Sequence, residues 1–98
     1  MWILRTNTED VAERVFRLLP GEPKTIGRAT GADFIVDAAL ISRVHCRLTV
    51  LPDGALEVKD LESTNGTFVN GTRIETARVA PGDKIQVGRV EIVAMKEE

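Results

Sequence analysis

From Leu40 onward, short β-branched and aliphatic runs are broken by glycine or proline turns every ~8–12 residues, the rhythm of a sandwich or small barrel. Cys46, Leu48 and Val50 alternate with Arg47 and Thr49. That period of two places the first three on one face of a strand, toward a core. Pro52-Asp53-Gly54 then turns the chain into Leu56-Glu57-Val58, a predicted hairpin. Thr67-Phe68-Val69 ends at Asn70-Gly71, a dipeptide that takes the positive φ angles of a type I′ turn at little cost. Pro81-Gly82 fits the central pair of a type II turn leading into Lys84-Ile85-Gln86-Val87, and Gly88-Arg89 turns into Val90-Glu91-Ile92-Val93. Two antiparallel strands should therefore close an all-β fold.

The N-terminal third supports two readings. Thr8 could cap a helix from Glu9 to Leu19, with Val11, Val15, Leu18 and Leu19 on one face. Local pattern alone slightly favours that helix. Val15-Phe16-Arg17-Leu18 also reads as a strand entering the Pro20-Gly21-Glu22-Pro23 turn, and an all-β remainder makes the strand the more consistent choice, which we adopt. Trp2-Ile3-Leu4 is the expected first strand, with Trp2 a core anchor.

Ninety-eight residues suit one domain, residues 1–98, because domains commonly hold about 100–150 residues around a single core. A net charge of −2 provides no broad cationic surface, so direct nucleic-acid binding is not expected and any phosphate site must be local. The single cysteine, Cys46, cannot form an intrachain disulfide, and no secretory pattern opens the chain, which points to an intracellular setting. No apolar run approaches the ~20 residues needed for a membrane-spanning helix.

Chemistry concentrates in three places: Gly27-Arg28, Ser42-Arg43-Val44-His45, and the hydroxyl- and amide-rich stretch from Asp60 to Gly71. Each has a bland reading. A lone Gly-Arg is usually a solvated arginine, Ser42 an ordinary turn residue, and Asn65-Gly66 and Asn70-Gly71 simple turns. A Ser42–His45 nucleophile and base can be imagined, but a triad also needs an orienting acid and an oxyanion hole, and no nucleophile-elbow pattern such as Gly-x-Ser-x-Gly appears. Paired catalytic carboxylates, a Walker loop and a zinc-spaced cysteine set are absent too, so an enzyme is not expected and neither metal nor cofactor is called for.

Taken in order, the three motifs resemble a forkhead-associated (FHA) domain, with the likeness running from Thr25 through Gly82-Asp83, Ile85 and Gly88 (motif region 24–94). The resemblance implies a β-sandwich of two twisted, mostly antiparallel sheets with ligand-binding loops at one end. It implies a monomeric, non-enzymatic module that binds a phosphothreonine-containing protein or peptide, with no membrane role. Arg28 would be the main phosphate ligand, joined by Ser42 and Thr64, with Arg43 adding backbone or side-chain contacts to the phosphopeptide, while Asn65 and Asn70 would hold the peptide main chain. Gly27, His45 and Gly66 would support the loops. A narrower resemblance, to nibrin-like FHA domains of DNA double-strand-break repair, rests on Met1-Trp2, Leu4 and the distances from them to Arg28 and Ser42-Arg43-Val44-His45. It implies a nuclear DNA-damage role, acidic residues flanking the phosphothreonine, and a chain cut from a longer protein. The contrasting expectation is an FHA scaffold for phosphate-independent contacts, with the motif residues serving only loop structure.

Overall fold

The computed structural model describes residues 1–8 and 13–97 and consists of two β-sheets. In chain order the strands are β1 (Trp2–Thr6), β2 (Val15–Leu18), β3 (Lys24–Gly27), β4 (Phe34–Ile35), β5 (Cys46–Val50), β6 (Leu56–Asp60), β7 (Thr67–Val69), β8 (Thr72–Ile74), β9 (Thr76–Val79), β10 (Lys84–Val87) and β11 (Val90–Lys96). One sheet runs β2-β1-β11-β10-β7-β8 and the other β4-β3-β5-β6-β9. Every pairing in the two sheets is antiparallel except β3 with β4, which pair Ile26 with Phe34 and Gly27 with Ile35 in parallel.

Alternation along the strands creates the core between the sheets. Trp2, Leu4, Ile85, Val87, Ile92 and Ala94 point inward from the first sheet, and Ile26, Cys46, Leu48, Leu56 and Val58 meet them from the second. Each fully buried large aliphatic side chain contributes about 1.5–3 kcal/mol, so these inward positions supply the main force holding the sheets together. Trp2 is a core anchor, fully buried, with its Nε1 donating to the Gly54 carbonyl at 2.9 Å. Phe16 and Phe34 stack with ring centroids 4.6 Å apart, tying edge strand β2 to edge strand β4 across the sandwich.

The adopted strand over Val15–Leu18 is present, paired with β1 as Trp2↔Leu18 and Leu4↔Phe16. The competing helix fails at its cap: the Thr8 hydroxyl accepts from the Glu91 N–H at 2.8 Å, so it is tied to β11. Residues 9–12 of that helix lie outside the described residues. The predicted turns hold. Asn70 and Gly71 have φ of 49° and 85°, as a type I′ turn requires. Gly82 has φ 92°, with Asp83 N–H reaching the Ala80 carbonyl at 3.0 Å, closing a type II turn.

Register determines which loops share an end. Ile26 pairs with Cys46 and Cys46 with Asp60, so the end of β3, the start of β5 and the end of β6 lie side by side. The segments 28–33, 36–45 and 61–66 therefore converge, and Gly27-Arg28, Ser42-Arg43-Val44-His45 and the Asp60–Gly66 part of the third stretch fall on that end.

Candidate functional site

Each of the three loops is pinned before any ligand arrives. The loop after β3 is closed at its base by a reciprocal clamp: the Asp33 carboxylate accepts from the Thr25 N–H at 2.9 Å, and the Thr25 hydroxyl accepts from the Asp33 N–H at 3.0 Å. That backbone donor, foremost among its contacts, holds the Asp33 carboxyl below its ordinary value. Gly27 lies against the neighbouring loop so closely that a Cβ placed there would sit 2.0 Å from the Arg43 carbonyl oxygen. The approach lets Arg28 N–H donate to the Ser42 carbonyl at 3.0 Å and Ala29 N–H to the Arg43 carbonyl at 3.2 Å.

Arg28 is exposed, yet its guanidinium is anchored by Nε donating to the Ile41 carbonyl at 3.1 Å. Among the described residues its two terminal nitrogens take no protein partner, so the outer fork is held in place and open. This is the arrangement from which a guanidinium makes paired, charge-assisted bonds to an anion.

Ser42 and the last loop are locked through His45, which is fully buried. Its Nδ1 accepts from the Ser42 N–H at 3.1 Å, and so Nε2 carries the proton and donates to the Gly66 carbonyl at 2.8 Å. Both ring nitrogens are thus engaged by main chain, and the ring is a brace between two loops. The Ser42 hydroxyl accepts from the Thr64 N–H at 3.1 Å, which leaves its own hydrogen for a ligand. Asn65 Nδ2 donates to the Leu40 carbonyl at 3.0 Å and steadies Leu40 at φ 70°, a left-handed conformation that costs a leucine about 1–2 kcal/mol. Gly88 abuts the same backbone: a Cβ there would lie 3.0 Å from Leu40 main-chain atoms.

Arg28, Ser42, Thr64 and Asn65 line one open cleft of about 480 Å³, together with Asp37 to Ile41. Arg43 is exposed beside it without lining it. Asn70 lies at the far end of β7, about 10 Å along the strand from Thr67, and its carboxamide oxygen accepts from the Lys84 N–H at 3.0 Å. A second depression of about 770 Å³ on the other side of the 61–66 loop mixes Lys59 and Arg73 with Asp60, Glu62 and Glu75, so no single charge sign dominates it.

The sequence reading missed Asp60 as the support of the last loop. Its Oδ1 accepts from the Ser63 hydroxyl at 2.5 Å and the buried Thr67 hydroxyl at 2.7 Å, while Oδ2 accepts from the Ser63 N–H at 3.2 Å. Ser63 Oγ in turn accepts from the Gly66 N–H at 3.0 Å. Burial pushes the Asp60 carboxyl up, but the donors on Ser63 and Thr67 outweigh it and hold the group below its ordinary value. The available signal was a carboxylate ending a strand with hydroxyls three and seven residues later. Cys46, by contrast, is inert: burial raises its thiol to about 12. Among the described residues no group of three or more His, Cys, Asp or Glu is placed to hold a metal, and no helix is long and apolar enough to cross a membrane.

Comparison with known proteins is consistent with this geometry. The family model of the FHA domain matches residues 24–88. The chain is 40% identical over 75 residues to the ABC transporter ATP-binding/permease protein Rv1747 of Mycobacterium tuberculosis, covering 76% of this chain and 9% of that protein. It is 36% identical over 78 residues to the glycogen accumulation regulator GarA of Mycolicibacterium smegmatis, covering 79% and 49% respectively. The chain thus spans about half or less of these relatives' length. An FHA-domain structure from an analysis of phosphothreonine-dependent FHA interactions superposes with a TM-score of 0.87 at 30% identity, covering 99% of this chain and 97% of that one. These curated relatives are bacterial, and they do not support the nibrin-like expectation or the DNA-repair and nuclear setting attached to it.

Proposed function

Because this chain belongs to the FHA-domain family, we propose that it is a phosphothreonine-peptide binding module that recruits phosphorylated partners in kinase signalling. The observation that carries the proposal is the anchored Arg28 fork facing the same cleft as Ser42, Thr64 and Asn65. A phosphate seated there would take two charge-assisted bonds from Arg28, one from the Ser42 hydroxyl and one from the Thr64 hydroxyl. Asn65 would hold the peptide main chain with what its Leu40 bond leaves free. Gly27, His45 and Gly66 would act on the ligand only through loop position. Asn70 fits the turn role better than the peptide contact expected from the family, since its oxygen is committed to Lys84. Arg43 would act at the rim.

Recruitment suits this architecture because the loops are already ordered on a rigid sandwich, so little entropy is lost on binding. Chemistry on the ligand has no evident agent: the one histidine uses both ring nitrogens to hold backbone. The relative studied for phosphothreonine dependence supports the choice of ligand. Preference over phosphoserine would come from burying one methyl group, worth about 1–3 kcal/mol in a pocket that fits it.

Calorimetric titration of one short peptide as phosphothreonine, phosphoserine and unmodified threonine tests the reading against wild type and Arg28→Ala. Binding should be strongest for phosphothreonine and absent for the unmodified form. The substitution should weaken it about 10-fold to more than 100-fold, from loss of charged hydrogen bonds worth roughly 1.5–3 kcal/mol. Equal binding of all three forms would instead establish the phosphate-independent scaffold.

A further inference from the structure

The cleft carries two charged side chains of opposite sign. Arg28 stands just beyond β3 and Asp37 lies between β4 and β5, and both line the cleft with Ala38, Ala39 and Leu40 between Asp37 and the Ile41–Ser42 wall. No ion pair within 4.0 Å joins them, and neither is paired with any other described residue. Arg28 is held back toward Ile41 by its Nε bond, so its fork and the Ser42 and Thr64 hydroxyls define where an anion sits.

A peptide whose phosphate occupies that position has the remaining wall of the cleft, from Asp37 to Leu40, beside it. That wall, residues 37–40, is apolar apart from Asp37, whose carboxylate is exposed, and the one cation of the cleft lining, Arg28, stands outside it with its fork at the anion position. An acidic flanking residue meets like charge there, and a lysine or arginine meets opposite charge. Arg43, the cation nearest this wall in sequence, does not line the cleft, and its carbonyl is held to the loop after β3 by the Ala29 N–H. Building on the phosphothreonine reading, we infer that the site selects a basic residue near the phosphothreonine and disfavours an acidic one, with Asp37 as the specificity-determining side chain. This is the opposite of the acidic flank that the nibrin-like resemblance implies.

The contrast is measured between two otherwise identical peptides. Replacing lysine by aspartate exchanges one exposed attraction for one exposed repulsion, which gives about a fivefold difference in affinity, diminished by added salt. Fluorescence anisotropy would use labelled phosphothreonine peptides of neutral sequence carrying one lysine or one aspartate at each flanking position in turn, with an unmodified-threonine control. These would be titrated into wild type, Asp37→Asn and Asp37→Lys, all checked for folding by thermal melting, which an exposed loop substitution should leave intact. The expected result is a lysine preference at one or two positions that disappears in Asp37→Asn and reverses in Asp37→Lys. A lysine preference unchanged by Asp37→Asn, or none at any position, overturns the inference while phosphothreonine dependence still stands. Binding of the unmodified control as tightly as the phosphorylated peptides overturns the phosphothreonine reading, and the inference falls with it.

Discussion

Gly27→Ala is the most demanding test of how the site is built, because two opposing effects are both calculable. Replacing glycine in a strand normally stabilises by about 0.4–1 kcal/mol, since the unfolded chain loses freedom. Here the new Cβ would sit 2.0 Å from the Arg43 carbonyl oxygen, 2.8 Å from its carbonyl carbon and 2.9 Å from the Val44 Cα. All three are backbone atoms, so no side chain can swing aside. The 42–45 loop must move by more than an ångström to restore ordinary contact, and the bonds spanning that gap are Arg28 N–H to Ser42, Ala29 N–H to Arg43 and His45 N–H to Ile26. Losing or stretching two or three of them, at about 0.5–1.5 kcal/mol each, outweighs the entropic gain. We expect a net destabilisation of about 2–3 kcal/mol, a large fraction of the roughly 5–15 kcal/mol total of a domain this size. Urea unfolding should show the midpoint falling by about 1–3 M. Phosphopeptide affinity should fall too, since Arg28 and Ser42 straddle the displaced contact. An alanine variant within about 0.5 kcal/mol of wild type, with amide resonances of residues 42–45 unmoved, would refute the reasoning that the loops are locked by close approach at Gly27.

Two further perturbations probe the supports. His45→Phe keeps ring volume but orphans the Ser42 N–H and the buried Gly66 carbonyl, which should cost about 2–4 kcal/mol by chemical denaturation and weaken peptide binding; unchanged stability would remove the brace from the account. Asp60 sets an acid limit. Its folded carboxyl lies below the ordinary value of 3.8, so the unfolded chain binds the proton more readily and stability falls with falling pH. The Asp60 contribution is complete above that ordinary value and is lost as pH drops from it through the lower folded one. Asp60→Asn should lower stability at neutral pH and flatten the acid limb of a melting-temperature profile, and an unaltered limb would count against this role.

Individual residues show how much was legible. Cys46-Leu48-Val50 and the strands from Lys84 to Val93 could be read directly, because alternation between core and solvent is written at a period of two and their turns carry Pro52-Asp53-Gly54, Pro81-Gly82 and Gly88-Arg89. Strands β4, β8 and β9 were not read. The first has two residues, and the other two are largely exposed, so neither length nor alternation marks them. Arg28, Ser42, Thr64 and Asn65 were identified as a set, and the cleft holds them together. Asn70 was drawn in by the same family pattern, although a three-residue strand carries it away from the cleft.

Local sequence by itself determined the strands with clear alternation, their turn types and their inward faces, since backbone sterics and side-chain burial act over a few residues, whereas β2 was settled against a helix only by its pairing with β1. Which loops meet, and what each polar group does there, was decided only by tertiary structure. Asp60 became a loop support because Ser63 and Thr67 fold back onto it, and His45 a brace because Gly66, 21 residues on, presents its carbonyl. Asp37 reached the cleft because β3 and β4 pair in parallel and return the chain to the end where Arg28 stands. Such contacts depend on register between distant strands, and strand pairing is set by the packing of the whole core, which no local pattern contains.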